Sequence, residues 1–414
     1  MRQTRLTQIY VYAMLTLFLF FTGFHGYTAI FDAKCTVFTA LSLVYIAGIL
    51  ILGVSKRRAT VSEVCALAYL FFTLLSALSS RYFPRTLLGV SRFEGAFTIG
   101  IYVFVFIFTS RHWQWKDSFI PFVSIVMTVQ SVVVLLQLMG FNALWLYPQG
   151  TDYYIAIERY NGAFISTVGN ADIASAFFSL MTPVLWALFF GCKKYRPITL
   201  ISAILSLICL MLMSVTAGVV AMIVTLFAFL FILLPWKFAI ITTGVTVAVF
   251  LLLVGLLPFK SGTLLELQLL LKGELDGDFG SGRIHIWQEV LSKVKDNLWL
   301  GTGPDTMLLE DIEPFTKIID GKTVTRRIDI AHNDYLNVLF HQGVFALTSY
   351  VGIVLSSLWK WYKNGTKSIA VTALGLGVFA YACHMLFSFS ACTSAIFFWI
   401  MLGMLNSQTR ELQP

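Results

Sequence analysis

Charged residues are scarce in this chain of 414 residues. Aspartate, glutamate, lysine and arginine make up only 12% of it, whereas 58% is hydrophobic and 15% is aromatic. A typical soluble domain carries about 25% charged residues. The scarcity of charge and the mean hydropathy of +0.80 exclude an ordinary soluble enzyme. Apolar runs of roughly 18 residues or more recur from end to end, so we expect one membrane-embedded unit without a separate soluble domain.

Cysteine is also sparse, and the motifs of many soluble enzymes are missing. The six cysteines lie mostly inside apolar runs and show no paired spacing. We therefore expect small core residues and neither a disulfide framework nor a metal framework. The sequence contains no Ser-His-Asp signature, P-loop or zinc spacing. The cysteines are residues 35, 65, 192, 209, 383 and 392.

The apolar runs predict an all-α polytopic membrane protein with about twelve transmembrane helices. The first run follows two arginines, as in a signal peptide, but no small-residue cleavage site follows it, so we expect a retained helix. The predicted spans are residues 8–27, 36–54, 62–79, 97–110, 118–139, 171–191, 198–214, 217–234, 238–258, 334–358, 368–387 and 389–406.

The basic residues predict the orientation of these spans. Fifteen of the 29 lysines and arginines fall in short loops on one side, and five fall in the short loops on the other side. By the positive-inside rule the first side is cytoplasmic, so both termini are predicted to be cytoplasmic. The net charge of +8 would suggest nucleic acid in a soluble protein. Here the basic residues orient the chain in the membrane, and no nucleic-acid partner is expected.

Three regions follow from this arrangement. Residues 1–258 would form a bundle of nine spans, residues 259–333 a large extracytoplasmic loop, and residues 334–414 the last three spans. Within the loop, Arg283–Lys295 has helical spacing with one apolar face. It predicts an amphipathic helix that lies on the bilayer or caps the bundle. The charged residues of 310–329 indicate a mobile lid or loop.

His332 is the main candidate for chemistry, because it stands where the long polar loop meets the tenth span. A neutral imidazole can take a proton from a hydroxyl near neutral pH, so His332 would be a general base. Asn333 and Asp334 follow directly and would cap the next helix or orient neighbouring groups. In the alternative interpretation, all three residues only cap that helix.

Three arginines are candidates for binding an anion. Arg283 opens the amphipathic segment, and Arg159 and Arg92 each stand beside an aromatic residue and near a glycine. A guanidinium offers phosphate oxygens a planar fork of donors and keeps its charge. Structural alternatives stay open, since Arg283 could be an interfacial residue and the other two could pair with Glu158 and Glu94.

The remaining ionisable residues have weaker patterns. Asp276 and Asp278 resemble a metal-binding carboxylate pair, but acidic residues around a glycine are common in solvated loops, so we assign no metal. His341 and His384 fall within apolar spans and are expected to pair across the bundle. Asp172 is expected to favour a helix N-terminus.

These residues resemble the O-antigen ligase and O-antigen polymerase superfamily, over most of the chain. The sharpest likeness is His332-Asn333, nine residues, and then Gly343, which resembles the ligase motif. The motif's last position is usually Gly, Thr or Tyr and is Ala346 here. Two further stretches are similar to recurrent parts of the family. These are Ser281-Gly282-Arg283 with Trp287 and the exit at 297–303, and Asn161 to Phe164 with Gly169-Asn170.

The sequence departs from the family's pattern at the junction of spans seven and eight. Many members of the family carry an arginine before a glycine there. This chain has Ser214-Val215-Thr216-Ala217-Gly218, without a basic residue. Arg159 is the expected substitute for the missing phosphate contact.

The resemblance implies a GT-C-like fold in the bacterial cytoplasmic membrane with its active site on the extracytoplasmic face. It implies a metal-independent, inverting glycosyltransferase that needs no cofactor. The donor would be a glycan on undecaprenyl pyrophosphate, and the acceptor a hydroxyl of a glycan, lipid or protein. His332 would be the base. Arg283, Arg159 and Arg92 would bind pyrophosphate, with Asn333, Asp334 and Gly343 in supporting roles and membrane lipids around the bundle.

Two alternatives stay open. A polymerase would join the same donor to another lipid-linked repeat unit. A transporter or flippase of lipid-linked sugars would perform no chemistry. A transporter is expected to place charges within its spans, and here the spans are almost free of them, which favours chemistry at the surface.

Overall fold

The computed structural model describes residues 1–23, 30–142, 144, 146, 165–257, 263–274, 282–319 and 322–412. Three residues considered in the sequence, Arg159, Asp276 and Asp278, lie outside this part of the chain, as does the stretch from Asn161 to Phe164.

The described chain is built almost entirely of helices. Each of the twelve predicted spans overlaps one of them in the described residues, which confirms the all-α polytopic architecture. In chain order the helices are α1 (Arg2–Ala13, continued by a π-helical turn Met14–Phe18), α2 (Ile30–Leu52), α3 (Val61–Ser79), α4 (Arg85–Leu88), α5 (Ala96–His112), α6 (Phe119–Leu138), α7 (Ala171–Gly191), α8 (Arg196–Leu212), α9 (Thr216–Leu233), α10 (Trp236–Leu256), α11 (Thr263–Lys272), α12 (Arg283–Val294), α13 (Asp334–Asn364), α14 (Ile369–His384) and α15 (Cys392–Glu411).

Within the described chain, six helices are long and apolar enough to cross a membrane. They are α2, α3, α6, α7, α10 and α13, and α5, α8, α9 and α14 are shorter apolar helices. Alternation of such helices with short loops is the pattern of a polytopic membrane protein, because only helices satisfy their own backbone hydrogen bonds in lipid.

The last helix, α15, forms the centre of the bundle. All its residues from 392 to 409 are buried, although several of them are polar. Asn406 donates to Ser357 of α13 at 2.8 Å, and Ser407 donates to the carbonyl of Trp113 at 2.7 Å. A polar core is tolerated because its side chains find partners on neighbouring helices.

A buried carboxylate joins three helices at the end of the bundle away from His332. Glu63 of α3 is 1% exposed. It accepts hydrogen bonds from Arg111 of α5 at 3.2 Å and from Arg410 of α15 at 3.1 Å, and it completes a capping box with Thr60. Breaking such a paired buried charge is strongly destabilising, because the remaining charge stays in a medium of low dielectric constant.

The long loop holds the predicted amphipathic helix and a β-hairpin that the sequence did not predict. Helix α12 spans Arg283–Val294, close to the predicted range, and buries Ile286, Val290 and Val294. These pack with residues of the same loop and of α13 in a small second core. The hairpin pairs β1 (Phe315–Ile319) with antiparallel β2 (Lys322–Arg326), within the segment expected to be a mobile lid or loop.

The cysteine prediction was wrong for one pair. Cys35 at the start of α2 and Cys392 at the start of α15 form a disulfide. They are 357 residues apart in sequence, so no local spacing could reveal the pair. The fold brings them together because both helices begin at the end of the bundle that carries His332. The other four cysteines are free.

Candidate functional site

The backbone around His332 is held by two helices. The N–H of Ala331 donates to Asn337 Oδ1 of α13 at 2.9 Å, and the indole N–H of Trp287 on α12 donates to the carbonyl of Ala331 at 2.8 Å. His332 itself has a φ of +49°, a left-handed conformation that non-glycine residues adopt infrequently. Helices α12 and α13 therefore fix the imidazole at the junction of loop and bundle.

The two residues after His332 anchor the start of α13. Asn333 is the N-cap, and its side chain accepts the N–H of Leu336 at 3.0 Å. The Asp334 carboxylate accepts from the Ser390 backbone N–H at 3.0 Å, from the Ser390 hydroxyl at 2.9 Å and from the Tyr350 hydroxyl at 3.1 Å. Both side chains are thus engaged in positioning the helix and the loop at 385–391.

The imidazole of His332 is largely buried and lies near charged groups of both signs. Its ring meets the ring of Phe389 edge-to-face at 5.6 Å, and within the described chain its Nδ1 has no hydrogen-bond partner. Burial lowers the pKa of His332, and Arg283 and Arg92 lower it further, whereas Asp172 and Asp329 raise it. The net effect is a neutral imidazole at physiological pH, which is the form that accepts a proton.

Two of the three predicted arginines lie beside His332. Arg283 is the first residue of α12 and is close enough to lower the pKa of His332. Arg92 lies over the ring of Phe389 at 4.4 Å and forms an ion pair with Asp329 at 2.7 Å. The Phe389 ring, which also contacts His332, therefore connects Arg92 to the site. Arg159 lies outside the described residues.

The loop that carries Arg92 is held by Asp305, which the sequence analysis missed. The backbone N–H groups of Val90, Ser91 and Arg92 donate to Asp305 Oδ2 at 2.9, 3.0 and 2.8 Å. The Ser91 hydroxyl donates to Oδ1 at 2.7 Å. A carboxylate that accepts several backbone N–H groups fixes a loop strongly. The glycines around 301–303 gave a signal for a tight turn, but no pattern connected this turn to Arg92.

Gly343 marks a break in α13 and not a contact to the imidazole. Its φ is +81° and its ψ is 179°, and a side chain there would overlap the carbonyl of Trp299. The glycine-rich segment 298–303 docks against this break. The N–H of Thr302 donates to the Phe340 carbonyl at 3.0 Å, and the N–H of Gly303 donates to the His341 carbonyl at 2.8 Å. The residues between His332 and Gly343 thus form the part of α13 that connects the candidate site to this docking point.

A second histidine and a second carboxylate lie on the α7 side of the site. His384 of α14 is within 3.2 Å of the Ser175 hydroxyl on α7, as expected for a histidine that pairs across the bundle. Asp172, one turn before Ser175, raises the pKa of His332. Its expected role was only to favour a helix N-terminus. A side chain added at Gly218 would overlap Ser175, so the junction that lacks the family's arginine lies next to this cluster.

A small cavity of about 60 Å³ lies inside this end of the bundle. It is lined by residues of α3, α5, α13 and α15 and by loop residues that include Arg92 and Glu94. Burial raises the pKa of Glu94 to about 8. A buried carboxyl group with a raised pKa in a cleft is typical of functional sites.

The site therefore combines a neutral histidine, two arginines and a cavity at one end of a membrane-embedded bundle. This arrangement can bind an anionic group beside the imidazole. Among the residues that the structure describes, no group of three or more His, Cys, Asp and Glu side chains is placed to hold a metal ion.

Part of the chain is similar to a known protein family. Curated proteins gave no match to the chain. Residues 201–351, from α8 to the middle of α13, match the family model described as O-antigen ligase. The matched part includes Gly218, Arg283, His332 and Gly343. The match confirms the resemblance of this chain to the O-antigen ligase and O-antigen polymerase superfamily.

Proposed function

We propose that the chain is a glycosyltransferase that moves a glycan from undecaprenyl pyrophosphate to a hydroxyl of a glycan, lipid or protein acceptor. The reaction takes place at the extracytoplasmic face of the bacterial cytoplasmic membrane, and both termini are cytoplasmic. The observation that carries the proposal is that Arg283 and Arg92 lie near a neutral, half-buried His332 within the described site.

In the reaction, His332 takes the proton of the acceptor hydroxyl. The acceptor oxygen forms a bond to the anomeric carbon as the bond from that carbon to the pyrophosphate oxygen breaks. The pyrophosphate leaves on the opposite face, so the anomeric configuration inverts. Arg283, with Arg159, stabilises the charge that grows on the leaving group. The arginines supply the positive charge that a metal ion supplies in other transferases.

Helix α12 has a defined part in this reaction. It presents Arg283 from its first turn, and its Trp287 holds the backbone next to His332. The base and the phosphate-binding residue are thus fixed by one rigid element. Rigid placement of this kind lowers the barrier, because the groups need little reorganisation as charge develops.

The test uses purified chain, an undecaprenyl-pyrophosphate-linked oligosaccharide and candidate acceptors. We expect release of undecaprenyl pyrophosphate together with a new glycoside of inverted configuration. His332→Ala should keep its thermal stability and lose at least about 100-fold in rate, the usual effect of removing a general base. His285→Ala, on the same helix as Arg283, is the matched control and should stay active.

Turnover by His332→Ala close to the parent rate would sink the assignment of the base. Product length separates two acceptor classes, since a polymerase lengthens lipid-linked repeat units and a ligase attaches the glycan to a different acceptor. Passage of the donor across vesicles without a new glycoside would favour the transporter.

A further inference from the structure

A second and larger cavity lies at the end of the bundle away from His332. Its volume is about 710 Å³, and it is open to the surface. Three elements meet there, namely the loop between α2 and α3 and the last turns of α13 and α15. Four of the lining residues are cations, which are Arg57 and Arg58 of the loop, Lys360 of α13 and Arg410 of α15.

The loop that carries the first two cations is fixed at both ends. On one side, Arg111 of α5 donates to the Ser55 carbonyl at 2.9 Å. On the other side, the Thr60 hydroxyl accepts the N–H of Glu63 at 3.2 Å, and the N–H of Thr60 donates to the Glu63 carboxylate at 2.9 Å. Residues 56–59 lie between these two anchors, so the backbone of both loop arginines is held at the cavity.

The cavity carries more positive than negative charge. Glu411 is the one carboxylate of its described lining, and the nearby Glu63 is already shared by Arg410 and a second arginine. Within the part of the chain that the structure describes, Arg57 and Arg58 form no ion pair, and Nη1 of Arg410 is buried without a hydrogen-bond partner. Cations held close together repel one another, so an anion among them is favourable.

Exposed aromatic residues indicate that the cavity lies at the level of the lipid headgroups. Trp359 and Tyr362 flank Lys360 in the sequence of α13, are 57% and 72% exposed, and stack on each other at 5.9 Å. Exposed tryptophan and tyrosine are enriched where the membrane meets water. Val61, which also lines the cavity, is 64% exposed at the start of the apolar helix α3. The cavity therefore adjoins a surface that faces lipid.

We propose that this cavity binds the phosphate group of an anionic phospholipid. Arginine suits this ligand, because its planar fork of N–H donors matches phosphate oxygens and its charge is weakly hydrated. Basic pockets between membrane helices are typical sites for such headgroups. The acyl chains lie on the side of the exposed Val61. The bound lipid joins the loop to α13 and α15, the two helices whose opposite ends begin beside the site around His332.

The first test measures lipid binding to the full chain. The chain is purified in neutral detergent without its native lipids and titrated with phosphatidylglycerol, and bound lipid is counted by native mass spectrometry. We expect phosphatidylglycerol to bind at least about tenfold more tightly than phosphatidylcholine, whose choline group would lie among the cations of the cavity. Phosphatidylglycerol should also raise the unfolding temperature, because it binds the folded chain. Equal binding of the two lipids would overturn the proposal.

Paired substitutions separate this cavity from the general charge of the surface. Arg57→Gln combined with Arg58→Gln should weaken phosphatidylglycerol binding at least about tenfold, since two cations near an anionic headgroup are lost. The matched control, Lys193→Gln combined with Lys194→Gln, removes the same charge from another short loop on the same predicted side and should leave binding unchanged. All four residues are exposed, so both variants should keep the unfolding temperature of the parent in lipid-free detergent. An equal loss in the two variants, or no loss in the first, would overturn the site.

Inorganic phosphate distinguishes a lipid from a free anion. It carries the same chemical group without acyl chains, so at millimolar concentration it should raise the unfolding temperature less than phosphatidylglycerol does. If phosphate stabilises the parent while the lipid has no effect, the cavity is a site for a free anion and the lipid assignment fails.

A single substitution tests the part of α13 in this site. Lys360→Gln keeps an N–H donor for Asn406, which accepts from Lys360 at 2.9 Å, and removes one positive charge from the cavity. It should weaken phosphatidylglycerol binding about fivefold. Unchanged binding would contradict the assignment of α13 to the lipid site.

Discussion

At the scale of single residues, His332 owes its proposed role to its surroundings. Burial and the nearby cations Arg283 and Arg92 lower its pKa, and the carboxylates Asp172 and Asp329 oppose them. An isolated histidine with a pKa near 6.5 would be about three-quarters protonated at pH 6. Because the folded environment lowers the pKa of His332, it stays neutral to lower pH and can still accept a proton there.

The first prediction concerns the pH dependence of transfer. The rate of undecaprenyl pyrophosphate release should fall less between pH 7.5 and pH 6 than it would for a base with the ordinary pKa of histidine. Asp172→Asn should move the acid limb of the profile to lower pH, since Asp172 raises the pKa of His332. Arg283→Gln should move it to higher pH. A profile that follows a pKa of 6.5 or above in the parent protein would contradict the neutral-base model.

A second prediction concerns Asp305, which holds the backbone of the loop that carries Arg92. Asp305→Ala removes the acceptor of four hydrogen bonds and should reduce kcat/KM about tenfold or more. Asp305→Asn keeps one acceptor oxygen, so its kcat/KM should lie between that of the parent protein and that of Asp305→Ala. The exposed Asp311 provides the control, because Asp311→Ala touches no group of the site. Parent-like kinetics of Asp305→Ala would show that the Arg92 loop needs no such anchor.

The sequence revealed His332, Arg283 and Arg92 because ionisable residues are conspicuous in an apolar chain. It did not reveal Asp305 or Phe389, because their roles depend on contacts between segments more than 50 residues apart. The role of Asp172 also emerges only when α7 lies beside the site. Residue types suited to catalysis can be recognised in a sequence. The residues that hold them in place are recognised only from tertiary contacts.

At the scale of elements, the break in α13 determines how the loop meets the bundle. The Gly343 conformation turns the backbone so that the N–H of Val344 donates to the Leu298 carbonyl at 2.9 Å. The same docked segment continues to Asp305 and the Arg92 loop. The helix break therefore sets the position of residues on the far side of the cavity.

A third prediction follows for this break. Gly343→Ala should destabilise the fold by about 1–3 kcal/mol for the strained backbone conformation, with an added cost from the overlap with Trp299. It should also lower the transfer rate. Gly244→Ala in α10 meets no neighbouring atom within 4 Å and should leave the unfolding temperature unchanged. Unfolding monitored by tryptophan fluorescence measures the stability of both variants. Equal stability of the two would refute the role of Gly343 in docking segment 298–303 against α13.

Elements were predictable to different extents. Long apolar runs predicted the spans, and the apolar face from Ile286 to Val294 predicted α12, because periodicity is a local property. The β-hairpin at 315–326 was not predicted, although the sequence carries a signal for it. Both strands are rich in β-branched residues, and Asp320-Gly321 stands between them in the sequence, which is a typical hairpin pattern.

At the scale of the whole molecule, the disulfide joins the second helix to the last one. Both cysteines lie at the end of the bundle that carries His332. Disulfides form in oxidising compartments and are rare in the cytosol. The pair therefore agrees with an extracytoplasmic position for this end, the orientation that the basic loops predict.

A fourth prediction tests this disulfide. Maleimide labelling of the denatured chain should modify four cysteines without reductant and six after reduction. Cys35→Ser should lower the stability by on the order of 2–4 kcal/mol, the usual contribution of a native disulfide. Cys65→Ser removes a free thiol and should have a small effect. Six labelled cysteines without reductant would show that the pair is reduced in the native protein.

The central position of α15 has a consequence for biosynthesis. Spans enter the membrane in the order in which they are translated, so the eleven spans predicted before α15 insert around an unfilled centre. Phe389, which connects Arg92 with His332, and Ser390, which holds Asp334, precede this final helix directly. The candidate site can therefore be completed only once α15 has entered the bundle.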